Sequence, residues 1–211
     1  MNKIIGAQMN KIDQIFKESH NIQKFSKAYF KYLSSVLEKI NVDDIAKFCD
    51  ALMKARENES SIYFIGNGGS AATASHFAND IAIGTKMKNK AFRAISLCDN
   101  QAVITAIGND YGYEFIFSKQ LDVVLNENDI LVAISASGNS SNLIHALTSA
   151  KEKGAITIGI TAFDGGKMKD LVDFSLHVPT EKGEYGPAED AHMVLDHLVA
   201  NYIMRKVKDF K

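Results

Sequence analysis

The chain has 211 residues, 46% of them hydrophobic, and its 24 Lys+Arg against 25 Asp+Glu leave a formal net charge of -1. That length and composition suit one domain, spanning 1–211, with a core of ordinary size, and the even charge balance argues against nucleic acid as a partner. No apolar stretch approaches the ~20 residues needed to cross a bilayer, and the first thirty residues, with Lys3, Asp13, Lys17 and Glu18, lack a signal-peptide core, so a cytoplasmic protein without a membrane partner is expected.

Residues 10–58 contain no proline or glycine, and Phe25, Tyr29, Tyr32, Leu33, Val36, Leu37 and Ile40 recur at three-to-four spacing. The pattern predicts two helices breaking near Asn41, an N-terminal pair (1–58) ahead of the remainder (59–211). From Ser61 onward, short apolar runs follow at 62–65, 92–97, 130–134, 156–160 and 174–178, with helical stretches between most of them. This is the pattern of an α/β, doubly wound five-stranded parallel sheet. Cys49 and Cys98 stand far apart without a CxxC, which provides neither a disulfide framework nor a cysteine zinc site.

In a doubly wound sheet the loops at the carboxyl ends of the strands face one crevice. After the first strand comes Gly66-Asn67-Gly68-Gly69-Ser70, and after the third Ser135-Ala136-Ser137-Gly138-Asn139-Ser140, each leading into a helix. Glycines let backbone N–H groups approach an anion, hydroxyls add donors, and a helix N-terminus adds partial positive charge. Either loop alone reads equally well as a turn with an N-cap serine. Their joint occurrence after two strands of one sheet favours a phosphate site. No Gly-Lys-Ser/Thr follows either loop, so a nucleotide is not the first expectation.

The helix after the first loop carries His76 and Asp80 on one face, and the C-terminal helix carries Glu189, Asp190, His192, Asp196 and His197. Taken singly, these are exposed helical pairs or core-edge residues. Together, beside a phosphate site, they suit a divalent ion with nitrogen and oxygen ligands, zinc first. His145 and His177 read as structural, and Lys86, Lys88, Lys90 and Arg93 as a solvated basic patch. Asp164-Gly165-Gly166 reads as a turn after the fourth strand.

The strand-GNGGS-helix segment, the SxSGNS segment and Gly108-Asn109-Asp110-Tyr111-Gly112 together resemble the sugar isomerase (SIS) family, specifically its phosphoheptose isomerases, from about Ser61 to Arg205. The resemblance implies interconversion of sedoheptulose 7-phosphate and a heptose 7-phosphate for bacterial surface polysaccharide, in homotetramers with sites at subunit interfaces. It implies that Ser135, Ser137 and Ser140 hold phosphate, and that Asn67, Gly68, Gly69, Ser70, Asn109, Asp110 and Glu189 contact the sugar. By the same resemblance one Zn²⁺ falls on His76, Asp80, Glu189 and His197, with Asp80 and His197 as catalytic proton handlers.

Three positions depart from the family's pattern. Asp80 stands for Glu, Glu189 for Gln, and Ala136 for a hydroxyl residue, which leaves open the isomerisation of a different phosphosugar. Helix geometry also keeps Asp190 in reserve for Glu189, because seven residues bring a side chain closer to the His197 face than eight. The competing reading from another class is a non-catalytic SIS module that binds a phosphosugar or a protein.

Overall fold

The computed structural model describes residues 9–85 and 90–208. The N-terminal region holds three helices rather than two: α1 (Lys11–Glu18), α2 (Ile22–Leu37) and α3 (Val42–Asn58). Asn41 caps α3 as the sequence suggests, with its side chain accepting from the Asp43 N–H. The additional break comes at Ser19, whose backbone is extended, and at Asn21, which accepts from the Lys24 N–H and starts a new helix.

The sheet consists of β1 (Ser61–Gly66), β2 (Arg93–Ser96), β3 (Ile130–Ser135), β4 (Ile156–Ala162) and β5 (Phe174–Val178). All neighbours pair in parallel, in the order β2-β1-β3-β4-β5. Both faces are covered, so β1 and β3 are buried at every position, as runs such as Ile62-Tyr63-Phe64-Ile65 require. Alternate residues divide between two cores. Ile62, Phe64, Ile130, Val132 and Ile134 point to the face covered by α3, α4 (Gly69–Asn79) and α9 (Tyr185–Val207). Tyr63, Ile65, Leu131 and Ala133 point to the face of α6 (Ser118–Val124) and α7 (Ser141–Glu152). On the first face Phe77 of α4 stacks on Phe64 at 5.0 Å and meets Phe48 edge-on at 5.7 Å, with all three rings buried. Each such side chain contributes about 1.5–3 kcal/mol on burial, and together they seat α4 on the sheet.

Because β1 is followed by a helix on one face and β3 by a helix on the other, the chain reverses its winding between these adjacent strands. Such a point opens a crevice at the carboxyl ends. The glycine loop leaves β1 and the serine loop leaves β3, where Gly66 pairs with Ile134. Topology therefore sets the two loops side by side.

The N-terminal helices are tied to the start of α9 through the buried Glu184. Its carboxylate accepts from the Ile12 N–H at 3.1 Å, from the Glu181 N–H at 2.9 Å and from the Tyr32 hydroxyl. Nearby the Tyr29 hydroxyl donates to Asp190 at 2.5 Å. Of the basic patch, Lys86 and Lys88 lie outside the described residues. Lys90 pairs with Glu59 at 3.4 Å, and Arg93 donates to the Glu59 carbonyl at 3.1 Å. Among the described residues no helix is long and apolar enough to cross a membrane. Cys49 and Cys98 are free.

Candidate active site

The glycine loop turns sharply. Gly68 has φ +54°, a conformation that favours glycine, and a Cβ on Gly66 would sit 2.4 Å from the Ser70 carbonyl oxygen. Asn67 is fixed by Asn142, a buried residue in the first turn of α7: each amide donates to the other, at 2.9 and 2.8 Å. The Tyr113 hydroxyl also donates to Asn67 Oδ1 at 2.9 Å. That bond brings the segment after α5 (Gln101–Asp110) to the glycine loop, with Asn109 and Asp110 exposed at the end of that helix and joined to each other at 2.8 Å. Ser70 is buried at the start of α4.

The serine loop is held from within and from behind. Ser135 Oγ accepts from the Gly138 N–H at 3.1 Å, Ser137 Oγ accepts from the Asn139 N–H at 3.4 Å, and Ser140 starts α7 with no side-chain cap bond of its own. Gly138, at φ +61°, lies against the turn after β4, where a Cβ would fall 2.0 Å from the Gly165 carbonyl oxygen. The Gly138 carbonyl accepts from the Met168 N–H at 3.0 Å, and Asn139 Oδ1 accepts from the Lys167 N–H at 3.1 Å. Asp164-Gly165-Gly166 is thus the buttress of the serine loop. Ala136, buried at 3% exposure, offers the loop no hydroxyl.

The helix leaving the glycine loop carries His76, and its hydrogen bonding widens from α to π at Asp80–Gly84, a form frequent at functional sites. Four side chains converge there. His76, Asp80, Asp196 and His197 each offer one donor atom within 4.8 Å of the others. His76 Nε2 lies 3.1 Å from His197 Nε2, 3.6 Å from Asp80 Oδ2 and 3.9 Å from Asp196 Oδ2. Two donors each about 2.1 Å from one tetrahedral ion stand about 3.4 Å apart. The donor types and separations fit a divalent ion such as zinc.

Of the four positions that the resemblance assigns to metal, the structure brings His76, Asp80 and His197 together, whereas Glu189 lies elsewhere. A Cβ on Gly69 would fall 2.2 Å from Glu189 Oε2, so this carboxylate rests on the backbone at the first turn of α4. Negative charge is favourable at that helix end. Asp190, the reserve, bonds Tyr29 instead. Asp196 takes the fourth place in the cluster. It is wholly buried, neither of its carboxylate oxygens has a hydrogen-bond partner, and its pKa is pushed up to about 8, first by burial and then by the charge of Asp80.

Asp196 lies on the inward stripe of α9, where Ala188, His192, Leu195, Asp196, Val199 and Ile203 are buried. Spacing from His197 alone misses it, because adjacent residues point about 100° apart on a helix. His192 is buried on that stripe, with Nε2 3.4 Å from the Thr161 carbonyl oxygen and Nδ1 unpartnered. His177 Nδ1 meets Thr161 Oγ1 at 3.0 Å, and His145 is exposed against Phe115. Neither is in the cluster.

The model of the SIS domain matches residues 28–162. The phosphoheptose isomerase of Geobacter metallireducens is 37% identical over 75% of this chain and 83% of its own length. The chain belongs to the phosphoheptose isomerase family of SIS domain proteins. The Helicobacter pylori (strain P12) phosphoheptose isomerase is also 37% identical, over 87% of this chain and 94% of its own. Among solved structures, the phosphoheptose isomerase of Neisseria gonorrhoeae superposes with a TM-score of 0.78 at 32% identity, covering 87% of this chain and 98% of that one. Family membership thus accords with a site built at the β1/β3 reversal from two small-residue loops and two helices.

Proposed function

We propose that this chain is an aldose-ketose isomerase that converts sedoheptulose 7-phosphate to D-glycero-D-manno-heptose 7-phosphate for bacterial surface polysaccharide. The observation that carries the reading is the adjacency of the two anion-suited loops to a His/carboxylate cluster on the helix that one of them starts. Relatives named phosphoheptose isomerase support it. The cluster is also what weighs against a non-catalytic phosphosugar sensor, which would need the loops alone.

In this reading Ser135, Ser137 and Ser140, with the backbone N–H groups at the start of α7, hold the phosphate, so that the reacting end of the sugar is aligned by its remote end. Asn67, Gly68, Gly69, Ser70, Asn109, Asp110 and Glu189 contact the sugar hydroxyls. Asn67 serves this role with its amide oriented in advance by Asn142 and Tyr113. Isomerisation moves one proton from C1 to C2 and another from O1 to O2. Asp80 takes the C1 proton, exchanges it with solvent at the enediol stage and delivers a proton to C2, while His197 transfers the proton between the oxygens. Zn²⁺, one per subunit, would be held at the His76/Asp80/His197 cluster and supply polarisation of the substrate carbonyl. The enzyme would act in the cytoplasm as a homotetramer with sites at subunit interfaces.

The test is incubation of the zinc-supplied protein with sedoheptulose 7-phosphate in D₂O, followed by NMR. Heptose 7-phosphate carrying deuterium at C2 is the expected product. If no heptose forms and the starting ketose acquires no deuterium, the assignment of substrate and of enediol chemistry fails.

A further inference from the structure

A carboxylate excluded from water normally has its oxygens satisfied, because desolvating the charge costs several kcal/mol that only partners return. Asp196 breaks this rule within the described residues: its side chain has 0% exposure and both oxygens lack a hydrogen-bond donor. It is aimed at three other metal-ligating side chains, with Oδ2 3.9 Å from His76 Nε2. His76 and His197 face each other through Nε2 at 3.1 Å, near the separation of two donors on one tetrahedral ion. Glu189, by contrast, has a place of its own against the Gly69 backbone.

We infer that Asp196 is the fourth metal donor of this chain, so that a divalent ion is held by His76, Asp80, Asp196 and His197, and Glu189 is left to the glycine loop. Two neutral imidazoles and two carboxylates make a charge-neutral site with a divalent cation, which removes the cost of a buried unpaired charge. Such a set suits zinc and admits harder ions as well. The inference rests on the reading of the cluster as the isomerase's metal site, and it differs from the family-implied donor set at one position.

The experiment is a zinc titration against a competing chromophoric chelator, run without substrate on wild type, Asp196→Ala, Asp196→Asn and Glu189→Ala, with melting temperatures recorded with and without zinc. Removing residues that merely support a ligand costs 10–100-fold in affinity, so both Asp196 variants should lose about 100-fold or more, while Glu189→Ala keeps wild-type affinity. In the absence of zinc, the shape-conserving Asp196→Asn should melt close to wild type, because neither carboxylate oxygen has a hydrogen-bond partner to lose. Wild-type affinity in the Asp196 variants, loss carried by Glu189→Ala, or a wild type that binds no zinc would each overturn the inference. The isomerase reading is judged separately. A zinc-loaded wild type that leaves the phosphosugar unchanged refutes that reading even when the Asp196 variants lose zinc, and a converting wild type whose Asp196 variants keep zinc refutes only the donor assignment.

Discussion

Replacing His192 by Gln should remove a definite part of the protein's acid sensitivity. His192 is wholly buried, and burial first, then the neighbouring His177, holds its pKa down to about 4, against an ordinary 6.5. Its hydrogen bond to the Thr161 carbonyl works in the other direction and exceeds the effect of His177, but burial outweighs it. Between those two pH values the unfolded chain binds a proton at this position that the folded chain does not. Stability therefore rises with pH across the window: the contribution is intact above about pH 6.5 and is progressively lost as pH falls toward 4. At pH 5 the unfolded form is favoured by RT ln[(1 + 10^1.5)/(1 + 10^-1)], about 2 kcal/mol, whereas at pH 7.5 the same expression is close to zero. Gln keeps an N–H donor for Thr161 but cannot titrate. Urea unfolding of both proteins at pH 7.5 and pH 5 isolates the effect, because every other titrating group cancels in the difference. Wild type should lose about 2 kcal/mol more than His192→Gln on acidification. An equal loss in the two proteins would show that the imidazole is not held neutral by burial.

Two further outcomes follow from the loops. Gly138→Ala puts a Cβ against the Gly165 carbonyl at a positive φ, a conformation that alone costs of order 1–3 kcal/mol. Thermal melting should show that loss, and phosphosugar KM should rise because the serine loop no longer closes on its buttress; an unchanged KM would separate Gly138 from phosphate binding. Asn142→Asp removes the donor to Asn67 Oδ1 while keeping the shape, and should destabilise the fold by about 1–3 kcal/mol. Since Asn142 acts by positioning Asn67, steady-state kinetics should show KM rising more than kcat falls, and a variant with wild-type KM would refute that role.

The strands were legible because short runs rich in isoleucine and other apolar residues occur where both faces are buried, and the runs at 130–134 and 156–160 fall within β3 and β4. The glycine and serine loops were legible through residue types that tight anion-facing turns demand. The break between α1 and α2 was not, since Ser19-His20 contains no glycine or proline and only Asn21 marks the new start. The π turn at Asp80 leaves no compositional trace. The exchange of Glu189 for Asp196 in the cluster could not come from spacing along one helix. It depends on how far α9 rotates against α4, which is set by packing around Phe77 and the buried stripe of α9.

The Glu184 carboxylate accepts from Ile12 on α1, from Tyr32 on α2 and from the turn just ahead of α9, so the same α9 that presents His197 is anchored at its entrance by α1 and α2. The N-terminal helices therefore belong to the mechanics of the site. Shortening the chain from that end would withdraw donors from a buried anion and loosen the pivot about which α9 is oriented, and changes distant in sequence from any loop would be felt as changes in the spacing between His76 and His197.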